Sequence, residues 1–151
     1  IMATTITAAT LTVTVSEEIT LNNNNYNSTI TKEIASIGNY ARRIFTVLAS
    51  STHTLAEFAS SATNDKFDLE DTKYVRVTNL DDTSDLTLTL GGSSVAAGIK
   101  IPAGGSHVLF SPDINGAASG SALTSTASLV NLYIHNATGA AVDIELVVAT
   151  L

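Results

Sequence analysis

The stretch Lys73-Tyr74-Val75-Arg76-Val77-Thr78-Asn79-Leu80, followed by Leu86-Thr87-Leu88-Thr89-Leu90-Gly91-Gly92, decides the fold class of this chain. Val75 and Val77 fall on one side of a strand, with Tyr74, Arg76 and Thr78 on the other. Leu86, Leu88 and Leu90 alternate in the same way with Thr87 and Thr89. A period of two puts alternate side chains on opposite faces, so both segments read as half-buried strands. Asp81-Asp82-Thr83-Ser84 between them is turn chemistry, and the two strands are expected to form a hairpin. Gly98 to Ile101 is a short strand stopped by Pro102. Ala103-Gly104-Gly105 turns, and His107 to Ser111 returns.

The same pattern extends outward in both directions. Leu11, Val13 and Val15 alternate with Thr10, Thr12 and Thr14, giving a strand within Thr4 to Val15. Glu17 to Leu21 continues it. Asn22 to Ser28 is a loop by composition, and Thr29 to Ile37 is a strand. Gly38-Asn39 breaks the pattern. Arg42 to Leu48 and His53 to Ala59 are further strands, the second irregular. Asn64 to Asp71 is a polar connection anchored by Phe67 and Leu69. Beyond Pro112, the stretch from Asp113 to Ser121 reads as a Gly-, Ala- and Ser-rich loop, and Leu123 to Ser128 as a short strand. Val130, Leu132 and Ile134 form the next strand. Asn136 to Ala140 is a turn, and Val142 to Val148 closes the chain.

Short strands at regular spacing, joined by Gly, Asn and Asp turns, define an all-β chain. The expectation is a single-domain β-sandwich over 1–151, jelly-roll-like, with residues 1–10 as an extended N-terminal arm. Less than about a tenth of the residues should be helical, against about a third in typical globular chains. The expected core is Val75, Val77, Leu86, Leu88, Val108, Phe110, Leu132, Ile134, Ile144 and Leu146.

Composition narrows the function. Charged residues are 14% of the 151, and Thr, Ser and Asn supply most of the remaining polar surface. These side chains compete for helical backbone groups and suit sheets and turns. The net charge of −7, with seven Lys and Arg, argues against a phosphate-neutralising surface, so no nucleic-acid partner is expected. No apolar run reaches the ~18 residues that span a bilayer, and no basic segment leads an apolar stretch at the start, so neither a membrane partner nor a leader is expected. There is no cysteine, which removes disulfides and thiolate metal sites.

The residues with chemical potential do not form a motif. His53, His107 and His135 lie on three separate strands or turns without metal-ligand spacing. Asp65, Asp68, Glu70 and Asp71, and the turn residues Asp81, Asp82 and Asp85, have oxygen ligands that suit calcium, but neither set fits an EF-hand loop. Turn capping and a solvated rim account for them. Ser106 and His107 are adjacent on a strand and so face opposite ways, which makes them a poor nucleophile–base pair. Gly91-Gly92 and Gly104-Gly105 read as hairpin turns, since no helix follows to make a phosphate loop. Asn27-Ser28-Thr29 and Asn136-Ala137-Thr138 match the glycosylation pattern, which arises easily in an Asn- and Thr-rich chain. Arg42-Arg43, the paired basic site, is expected to form a salt bridge with an acidic neighbour. No catalytic residue, no metal and no cofactor is expected.

From Tyr74-Val75-Arg76-Val77-Thr78-Asn79-Leu80-Asp81-Asp82, through the Leu/Thr segment, to Ile101-Pro102-Ala103-Gly104-Gly105-Ser106-His107-Val108-Leu109, the chain resembles small β-rich virion structural proteins of tailed bacteriophages. The pattern looks particularly like that of virion proteins of marine phages, cyanophages among them. The resemblance covers about the middle third of the chain. It implies a non-enzymatic virion component: a capsid decoration or cement protein, or a collar or tail-associated module. The implied partners are further copies of the chain, in a closed homo-oligomer such as a trimer, and virion proteins such as the major capsid protein. The alternative is a carbohydrate-binding or host-recognition module of a tail fibre or adhesin. Intersubunit contacts are expected from the arm, Ile1 to Thr10, or from the loop Asn22 to Asn27.

Overall fold

A computed structural model describes residues 6–92, 96–109 and 129–151. The sequence readings at Ile1–Thr5, Phe110, Asp113–Ser121 and Leu123–Ser128 lie outside the described residues. Thirteen strands and no helix are found among the described residues. The chain divides into two compact units, 1–38 and 39–151, at the Gly38-Asn39 break in the pattern.

The first unit is one long β-hairpin. Strand β1 (Ala9–Glu17) pairs antiparallel with β4 (Ser28–Ile37), and β2 (Thr20–Leu21) pairs with β3 (Asn24–Asn25) at the tip. Within the expected loop, Asn22 to Ser28, only Asn24, Asn25 and Ser28 are strand. Its turn narrows to Asn22 and Asn23, with φ of 50° and 66°. Two consecutive left-handed residues match the twist of a two-residue hairpin, and Asn tolerates that conformation. Near the base, Ala9 pairs with Ile37 but Leu11 with Ile34, so one extra residue bulges on β4. Ser36, at φ 63°, sits in that bulge.

The second unit is a sandwich of two sheets. Strands β10 (Ala96–Ile101), β9 (Leu86–Gly92), β12 (Leu129–Asn136), β6 (Ser51–Ala59) and β7 (Phe67–Asp68) form the larger sheet, in that order. Strands β11 (Ser106–Leu109), β8 (Thr72–Asn79), β13 (Val142–Thr150) and β5 (Asn39–Val47) form the smaller. The pairings are nested. Asn39 lies opposite Thr150, Ser51 opposite Asn136, Thr78 opposite Ser106, and Leu86 opposite Ile101. The unit is thus a long hairpin, bent between β9 and β10, that rolls up on itself. Two further pairings, β8 with β13 and β9 with β12, complete the sheets.

The core lies between the sheets. Val75, Val77, Leu86, Leu88, Leu132, Ile134, Ile144 and Leu146 are all buried, as their alternation requires. Val47, Leu55, Phe58, Ile101, Val142 and Val148 join them. Each such side chain contributes roughly 1.5–3 kcal/mol by leaving water.

Three expectations need correction. Val108 is only half-buried, because β11 presents its other face to the core. His107 lies opposite Val77 and Leu109 opposite Val75, and residues opposite one another in a ladder share a face. Second, β8 and β9 are not a hairpin, since they belong to different sheets. The connection between them carries the chain across the sandwich and is fixed there by Asn79 and Asp81. Third, Gly91 and Gly92 are not a turn but the end of β9, paired with β10 and β12. A Cβ on Gly91 would stand 2.0 Å from Asn131 Oδ1, so the Asn131 side chain occupies the space that glycine leaves. Likewise Gly104, at φ 68°, turns the chain from one sheet to the other rather than within a hairpin.

Candidate functional site

The three histidines are not brought together. His53, on the inner side of β6, packs its ring 5.0 Å from that of Phe45 on the facing sheet. His135 is exposed, and its Nδ1 lies 2.9 Å from Thr52 Oγ1. His107 turns inward on β11, and its Nε2 is buried without a hydrogen-bond partner among the described residues. Ser106 lies opposite Thr78 on the outer face, 2.8 Å between hydroxyl oxygens, so Ser106 and His107 do point to opposite sides. Among the described residues no group of three or more His, Asp or Glu is arranged to hold a metal ion.

The acidic turn residues serve the backbone. Asp81 Oδ1 accepts from the Thr83 and Ser84 N–H groups at 2.8 and 2.6 Å, and those bonds hold its carboxyl below the usual range. Asp85 is lowered by Lys100, 2.5 Å away, and by the Ala103 N–H. Asp68 Oδ1 accepts from the Glu70 N–H.

Two buried asparagines pin the turns at one end of the sandwich. Asn136 Nδ2 donates to the carbonyls of Val47, Leu48 and Ala140 at 3.1, 3.2 and 2.8 Å. Its Oδ1 accepts from the Thr138 N–H and hydroxyl. Asn79 Nδ2 donates to Ser84 and Pro102 carbonyls, and its Oδ1 accepts from the Asp81 N–H. The Asn136 amide nitrogen that a glycan would need is thus committed to the fold. Asn27, by contrast, is exposed on the hairpin, where its Oδ1 accepts from the Ile19 N–H.

On the outer face of the smaller sheet, Glu145 joins three strands. Its Oε2 accepts from Arg42 Nε at 2.6 Å and its Oε1 from Arg76 at 2.5 Å. The Glu145 side chain is 6% exposed. Burial pushes its carboxyl upward, but the hydrogen bonds and charges of Arg42 and Arg76 outweigh that and hold it below the usual range. Arg42 therefore makes the salt bridge expected of the Arg42-Arg43 pair. Arg43 points the other way. It lines a cleft of about 550 Å³ with Asn39, Asp65, Lys66, Asp68 and Asp71. The cleft gathers three of the acidic residues singled out in the sequence, Asp65, Asp68 and Asp71, but it also holds two cations, Arg43 and Lys66.

Among the described residues, six of the eleven exposed large hydrophobic side chains belong to the hairpin unit. Its register is continuous, so Leu11, Val13, Val15, Glu17, Ile19 and Leu21 share a face with Ile34, Lys32, Ile30, Ser28, Tyr26 and Asn24. Ile34 is 8% exposed near the base, whereas Val15, Ile19, Leu21, Tyr26 and Ile30 are 40–61% exposed toward the tip. The opposite face is polar, with Thr14 against Thr31 and Ser16 against Thr29. Alternation in Leu11 to Val15 signals one half of this face in sequence. The loose alternation of Ile30, Lys32 and Ile34 signals part of the other half, but the place of Tyr26 is hidden because the register depends on the Asn22-Asn23 turn.

No family model and no curated protein matches the chain.

Proposed function

We propose that the chain is a non-enzymatic virion structural protein, a capsid decoration or cement protein that packs against neighbouring subunits. The observation that carries this reading is the hairpin unit. A two-stranded hairpin is marginal alone in water, and one with an exposed apolar face calls for a neighbour. The sandwich is taken as a jelly roll. With the eight long strands of 39–151 counted in order, the sheets run 1-8-3-6 and 2-7-4-5, which supports that assignment. Jelly rolls serve as capsid and as lectin domains. The resemblance of the Tyr74–Leu109 segment to phage virion proteins favours the first use.

Imaging virions that carry a tagged copy of the chain tests the reading. Hundreds of copies spaced regularly over the capsid are expected. A few to tens at the neck or fibre would move the protein to the alternative role, host recognition through glycan binding. The cleft beside Arg43 is the observation that favours that role, because it sets hydrogen-bonding side chains around a concave surface. Absence of the chain from virions would overturn both.

A further inference from the structure

The exposed face of the hairpin has a definite chemistry, and resting on the assembly role proposed above, we infer that its occupant is the same face of a second copy of this chain. Val15, Ile19, Leu21, Tyr26 and Ile30 all lie on that face in the outer part of the hairpin. At two-fifths to three-fifths exposure they present roughly 500 Å² of largely apolar surface, within the range of the largest patch on a typical monomer, which is often functional. Two such faces together reach about 1,000 Å², the floor that a biological interface should clear. A copy of the same face supplies that area without any further element.

Charge selects the same partner. The apolar face carries one anion and one cation, Glu17 and Lys32, so two copies meet with equal numbers of opposite charges. The polar face carries Glu18 and Glu33 and no cation, so two copies of that face would repel. The contact is therefore directed to one side of the hairpin. It uses residues outside both sheets of the sandwich, which leaves the sandwich free to meet other virion proteins.

The test compares two exposed neighbours on β4 in the full chain. Ile30→Asp places a carboxylate on the apolar face, and Thr31→Asp places the same group on the polar face. Sedimentation velocity over a concentration series reads association, and thermal melting reports folding. Wild type and Thr31→Asp are expected to associate, and Ile30→Asp to need at least tenfold higher concentration, with melting unchanged in all three. If both variants associate like wild type, the face is not the contact and the inference falls while the assembly role stands. If both dissociate equally, the effect is not specific to the face and the inference also falls. A wild-type chain that stays monomeric at millimolar concentration overturns it too, and the assembly role then rests on the virion imaging alone.

Discussion

At the scale of single residues, Asn136 shows how a polar side chain can hold an apolar fold together. It is fully buried, and its amide satisfies carbonyls from two different connections, at Val47–Leu48 and at Ala140. Asn136→Ala leaves those carbonyls without their donor inside the protein. A loss of roughly 1–3 kcal/mol is expected from each buried group left unsatisfied, so the urea midpoint should fall clearly. A change within about 0.5 kcal/mol, the usual surface range, would mean water replaces the amide without cost. The sequence marks Asn136 as a turn residue but not as a pin, because Val47 and Leu48, the partners it ties to the turn, are far away along the chain. A similar limit explains Val108. The run His107-Val108-Leu109-Phe110 offers apolar side chains at both parities, so alternation alone cannot choose the inner face. Pairing with Val75 and Val77 makes the choice, and it turns His107 inward.

At the scale of strands, the apolar alternation was legible wherever one parity is wholly polar. Leu86, Leu88 and Leu90 among threonines left no ambiguity, and Leu88 is 1% exposed. Leu88→Ala should cost roughly 2–5 kcal/mol, read from chemical denaturation, because the cavity lies between two sheets that cannot close over it. Strand partners were less legible. Sequence neighbours β8 and β9 look like a hairpin, yet nearly every connection in the sandwich crosses to the facing sheet. Glu145 is the outward-facing residue that ties β5, β13 and β8 side by side. Its folded-state carboxyl is held below the ordinary value of about 4.3, so its stabilisation is complete above that pH. It is lost as pH falls through the lower, folded-state value. Melting temperature should therefore drop on acidification below about pH 4.3, and Glu145→Gln should show a shallower drop. Parallel acid limbs in the two proteins would show that other carboxylates set the dependence.

At the scale of the whole molecule, the two units are built for different tasks. Residues 39–151 close their own core: the nested pairings run from Asn39–Thr150 inward to Gly91–Ala96, and the apolar cluster between the sheets draws only on this unit. Residues 1–38 form sheets of their own and expose an apolar face toward the tip. The division was only partly legible in sequence. Gly38-Asn39 reads as a break, but nothing in the alternation of Leu11 to Val15 distinguishes a hairpin of its own from one more strand of a sandwich. Pairing partners decide that, and β1 finds its partner in β4 rather than in either large sheet. Folding and assembly should therefore separate on truncation. A chain lacking residues 1–38 is expected to keep one cooperative thermal transition and a strand-dominated far-ultraviolet spectrum, because its sheet hydrogen bonds are all internal. It should sediment as a monomer at concentrations where the full chain associates. Loss of the cooperative transition would show that the sandwich needs the hairpin to fold. Undiminished association would place the contact on the sandwich, where the edge strand β5 offers Tyr40 and Ile44, both more than half exposed, as the next surface to substitute.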